Sequence, residues 1–73
     1  MNKAIYYLEL AANQNHLVAL NNLGFIFYDG KYVKQDLNKA FRYLKLAANQ
    51  NFPEAQFNLG CIYFKGSYTS QEI

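Results

Sequence analysis

Shifted by 36 positions, as from Ala4 to Ala40, the chain overlays on itself. Asn2-Lys3-Ala4 recurs as Asn38-Lys39-Ala40, Tyr7-Leu8 as Tyr43-Leu44, and Asn22-Leu23-Gly24 as Asn58-Leu59-Gly60. The run Leu10-Ala11-Ala12-Asn13-Gln14-Asn15 returns unchanged as Leu46-Ala47-Ala48-Asn49-Gln50-Asn51. Ala19, Ile26, Gly30, Tyr32 and Gln35 return as Ala55, Ile62, Gly66, Tyr68 and Gln71. Roughly half of the aligned pairs are identical, and a period of this size marks a duplicated unit of the kind that stacks into helical solenoids.

Within a unit the apolar residues keep helical time. Ala4, Tyr7, Leu8, Ala11 and Ala12 stand at i, i+3, i+4, i+7 and i+8, one stripe along a first helix, A. Ala19, Leu20, Leu23, Ile26 and Phe27, and again Ala55, Leu59, Ile62 and Tyr63, draw the stripe of a second helix, B. The connection around Asn15-His16 or Asn51-Phe52 is so short that A and B must run antiparallel. The expected fold is all-α: two stacked antiparallel helix-turn-helix repeats forming an αα-solenoid, with one repeat over 1–36 and a second over 37–66. Residues 67–73 read as the start of a truncated third repeat or a C-terminal tail, because the chain starts mid-pattern and stops where a third A helix would begin.

The punctuation agrees with the periodicity. Asn15 and Asn51 follow helix A, where a left-handed residue commonly closes the helix and Asn tolerates that conformation best after Gly. Asp36 precedes Leu37 and is placed to cap the second A helix, and Pro53 opens the second B helix, where its missing N–H is no loss. Gly30 and Gly66 read as left-handed terminators of helix B. Gly24 and Gly60 lie inside helix B, where Gly costs about 1 kcal/mol against Ala. Recurring in one register, they read as sites of close packing, B against the Ala11-Ala12 or Ala47-Ala48 surface of its own helix A.

Composition narrows the function. A net charge of +2 lacks the dense basic patch that a nucleic acid or a membrane surface requires. The apolar runs stop well short of the roughly 20 residues of a membrane span, so a soluble chain is expected, and no targeting segment is visible. Cys61 is alone, which rules out an intrachain disulfide or a cysteine-based metal site, and reads as a small buried residue. His16 is the single histidine, without neighbours at ligand spacing, and reads as a residue that caps or flanks helix B. Most aromatics on the stripes (Tyr7, Tyr43, Phe27, Tyr63) read as core rather than as a base-stacking platform. No catalytic residue, metal ligand or cofactor is expected.

The run Ala-x-x-Tyr-Leu-x-Leu-Ala-Ala, then Ala-x-x-x-Leu-Gly-x-x-Phe/Tyr-x-x-Gly, then Val33-x-x-Asp36-x-x-Lys39-Ala40, resembles the Sel-1-like repeat, a relative of the tetratricopeptide repeat, over nearly the whole chain. The resemblance implies hairpins stacked into a right-handed superhelix with a concave binding surface. It also implies adaptor work: members scaffold complexes in eukaryotic membrane-protein turnover and cell-wall synthesis, or mediate host contact in bacteria. The family often has Gly at the places of Asn15 and Asn51, and its arrays usually hold more than two repeats. Cysteine-rich relatives are linked to β-lactam binding and hydrolysis, but they carry paired cysteines in every repeat, and a single Cys61 sets that enzyme reading aside.

Equivalent positions of neighbouring repeats stand side by side in a solenoid, so differences between the two A helices carry information. Ile5 faces Phe41, Tyr6 faces Arg42, and Glu9 faces Lys45, all off the main stripe. Tyr6 is expected to stack on Arg42 and Glu9 to pair with Lys45, each worth at most about 1 kcal/mol. That row is either an ordinary solvated face or the wall that binds a protein or peptide. On the second reading Tyr6, Glu9, Asn13, Arg42, Lys45 and Asn49 are the partner-binding residues, and the protein is a non-catalytic interaction module or scaffold. The alternative is a self-assembling structural unit, a homo-oligomer joined through open repeat ends.

Overall fold

The computed structural model describes residues 2–65, which form four helices and no strand: α1 (Asn2–Asn13), α2 (Leu17–Asp29), α3 (Leu37–Ala48) and α4 (Pro53–Lys65). Gly66 and the tail 67–73 lie outside the described residues. α1 and α2 form one hairpin and α3 and α4 the next, which is the helical repeat solenoid expected. The most extensive packing is not within a hairpin but between hairpins, α2 against α3.

Each boundary has a local cause that repeats. Asn15 and Asn51 adopt φ of 65° and 66°, and the chain closes behind each with the same bonds. Asn15 N–H donates to the Ala12 carbonyl and His16 N–H to Ala11, as Asn51 does to Ala48 and Phe52 to Ala47. His16 caps α2, its Nδ1 accepting from the Ala19 N–H at 3.3 Å. Asp36 caps α3, its carboxylate accepting from the Lys39 N–H at 3.1 Å. Gly30 closes α2 at φ 70°, and Pro53 is the first residue of α4. An Asp36→Ala variant is expected to lose about 1 kcal/mol of stability, read as a lower urea midpoint at unchanged slope.

The core is Ala12, Ala19, Leu20, Leu23, Phe27, Ala40, Phe41, Leu44, Ala47, Ala55 and Ile62, gathered about the α2–α3 contact. Asn21 is the one polar buried side chain among the described residues, and its Oδ1 accepts from the Asn58 amide at 3.0 Å.

Several expectations about the core are corrected by the uneven way in which the repeats are covered. Gly24 is a close-packing site, but against the next repeat rather than against Ala11-Ala12. A Cβ built there would lie 2.5 Å from Leu44 Cγ, 2.8 Å from Leu44 Cδ2 and 3.1 Å from the Ala40 carbonyl. Gly60 touches nothing, because among the described residues no helix follows α4. Phe41, expected off the stripe, is core and meets Tyr63 edge-on at 5.2 Å. Tyr7 and Tyr63, expected in the core, are exposed, whereas Phe27 and the half-buried Tyr43 stack at 6.1 Å. Cys61 is half-buried rather than core, on a side of helix B where its equivalent, Phe25, is exposed.

Candidate interaction surface

Helical spacing sets Tyr6, Glu9 and Asn13 on one side of α1 and Arg42, Lys45 and Asn49 on the same side of α3. Five of the six are exposed, and Glu9 is half-buried. The cross-repeat pairs expected between them do not form. Arg42 Cζ lies 5.7 Å from the Tyr43 ring centroid, Lys45 Nζ lies 5.8 Å from that of Phe41, and Tyr6 meets Tyr7 edge-on at 5.1 Å. No ion pair joins Glu9 to Lys45 among the described residues. The reason is the packing order: α3 rests on α2, so the two A helices are not close neighbours and each row takes its contacts from its own helix.

The contacts that do bind the repeats together lie elsewhere. Asn15 and Gln50 exchange a reciprocal pair of amide hydrogen bonds, Asn15 Nδ2 to Gln50 Oε1 at 2.6 Å and Gln50 Nε2 to Asn15 Oδ1 at 2.8 Å. Lys39 Nζ sits 4.9 Å from the Phe27 ring centroid, a cation–π contact that crosses from α3 to α2. The duplicated Gln14 and Gln50, and Lys3 and Lys39, were the signal for these contacts: identity at polar positions off the apolar stripe.

A cation held near a ring keeps its charge and donors facing solvent while the ring restrains the side chain. Among the described residues no three of His, Cys, Asp and Glu converge as metal ligands, and no helix is long and apolar enough to cross a membrane.

The Sel1 repeat family model matches residues 1–16, 17–52 and 53–73, the whole length of the chain. Its complete unit, 17–52, runs from the start of α2 through α3 to the turn before α4, so it is cut across the α2–α3 contact rather than along a hairpin. No curated protein and no solved structure gives a significant match. The duplicated stripes, the repeated turns and the match over every residue agree, and the chain belongs to the Sel1 repeat family.

Proposed function

We propose that this protein is a non-catalytic interaction module that binds another protein or peptide along the row formed by Tyr6, Glu9 and Asn13 of α1, Arg42 and Lys45 of α3, and Asn49, which caps α3. Sel1 repeats are in general protein-interaction modules. The observation that carries the reading to this row is the pair of exposed cations, Arg42 and Lys45, each held over an aromatic ring of its own helix. Both offer their charge to solvent from one side of α3, which suits a segment carrying carboxylates, and the edge-on Tyr6–Tyr7 pair adds apolar surface on α1.

Photo-crosslinking tests this in the living cell. A photoreactive amino acid in place of Tyr6 or of Arg42 is expected to trap a discrete second protein, and the same group in place of exposed Val18 on α2 is not. Equal trapping from all three positions, or none from the A-helix row, would overturn the assignment.

A further inference from the structure

The contacts that join α2 to α3 are written a second time on α1 and α4, where nothing among the described residues answers them. On α4, Gly60 stands at the position of Gly24 and, among the described residues, has no atom within 4 Å of where its Cβ would be. On α1, Ala4 is exposed and Leu8 and Ala11 are half-buried, although their equivalents Ala40, Leu44 and Ala47 are completely buried against α2. Gly24 receives Leu44 and Ala40; Gly60 is shaped to receive Leu8 and Ala4. Phe27 stacks on Tyr43 and lies under Lys39; Tyr63, 39 % exposed, retains Tyr7, 63 % exposed, and Lys3 as equivalents. Asn15 pairs with Gln50; Asn51 retains Gln14, and both are exposed. The large apolar side chains Phe57 and Phe64, 71 % and 92 % exposed, line the same side of α4 as Gly60.

We propose that a second copy of this chain docks its α1 face (Lys3, Ala4, Tyr7, Leu8, Gln14) on the α4 face (Asn51, Gly60, Tyr63) of the first, reproducing between molecules the α2–α3 contact found within one. The occupant is argued from continuity: each face is half of an interface the protein already forms, in the same register of 36 residues, and it is the most extensive type of contact in the fold. Among the positions of α4 that depart from α2, Gln56 stands for Leu20 and Phe57 for Asn21, which exchanges a polar and an apolar group between adjacent positions of the same helix. The interface is heterologous, each molecule using a different face, so association does not close at a dimer but continues the solenoid from copy to copy. None of the six residues of the A-helix row belongs to these faces, and Tyr7, which meets Tyr6 edge-on, is the one side chain that borders both. Trapping from Arg42 and pairing of the two variants below therefore report on the two proposals separately.

Sedimentation equilibrium from micromolar to millimolar concentration, paired with circular dichroism, tests it. The wild-type mass is expected to rise from 8.5 kDa without a plateau at twice that value. Gly60→Glu and Ala4→Glu, both at exposed positions, are each expected to keep the helical spectrum and to remain at 8.5 kDa. Mixed in equal amounts they form a heterodimer of twice that mass and no larger, since each supplies the face that the other has lost. A wild type that stays at 8.5 kDa throughout, one that stops at a dimer, or a mixture of the two folded variants that fails to pair would overturn the proposal.

Discussion

Gly24→Leu is expected to unfold the protein or to lower its Tm by about 10 °C or more, while Gly60→Leu, the same change in the same register of the repeat, leaves it as stable or more so. At Gly24 the first added carbon already falls 2.5 Å from Leu44 Cγ and 3.1 Å from a backbone oxygen, and Leu44 is completely buried. Overpacking of this kind costs about 1–3 kcal/mol, and each kcal/mol shifts Tm by roughly 4–8 °C in a domain of this size. A chain of 73 residues has only about 3–5 kcal/mol in hand. At Gly60 nothing among the described residues lies within 4 Å, so the substitution meets no neighbour there and replaces the least helix-favouring residue but proline, a gain of up to about 1 kcal/mol. Thermal melts by circular dichroism at micromolar concentration, below self-association, compare the two directly. Equal loss in both variants would mean that glycine is needed for the helix itself; equal tolerance would mean that the α2–α3 approach is looser than described.

Most of the fold was legible because each element carried two independent signals that agreed. α3 has an apolar stripe, a capping Asp36 before it and a left-handed Asn51 after it, and the same logic repeated at α1 and α2. Less was legible at the candidate surface. Tyr6 with Arg42 and Glu9 with Lys45 were matched by repeat position alone, a rule that assumes like helices are neighbours. Here α2 stands against α3, so the neighbours of α3 come from the B helix before it, and Phe27–Tyr43 and Gly24–Leu44 are the contacts that count. Periodicity assigns a residue to a face but not to a partner, because the stripe on α3 looks the same whether it meets α1 or α2. For the same reason one pattern gave different burial at the two ends. Tyr7 and Tyr43 occupy the same position of the repeat, yet only Tyr43 has a ring stacked on it from α2.

Leu44→Ala is the other change with a large expected effect, and it is bound to the first by a shared atom pair. Leu44 is among the largest completely buried side chains, and its Cγ and Cδ2 are the atoms nearest to Gly24. Truncation to Ala removes both and leaves a cavity at the centre of the α2–α3 contact, a loss of about 2–5 kcal/mol that equals or exceeds the stability of a domain of this length. An osmolyte such as trimethylamine N-oxide, excluded from protein surface, brings such variants back into the measurable range. In that solvent a double-mutant cycle with Gly24→Ala is expected to be strongly non-additive. The single Gly24→Ala forces a methyl against Leu44 Cγ, and the single Leu44→Ala opens a hole at the same spot; together the new methyl occupies part of the space the old side chain left. The double variant should therefore be more stable than the sum of the two losses predicts by about 0.5–3 kcal/mol. Urea midpoints for the four proteins, each tested for a common slope, provide the cycle. Strict additivity would show that Gly24 and Leu44 do not meet, and with it the α2–α3 register, and the head-to-tail contact that repeats that register between molecules, would have to be redrawn.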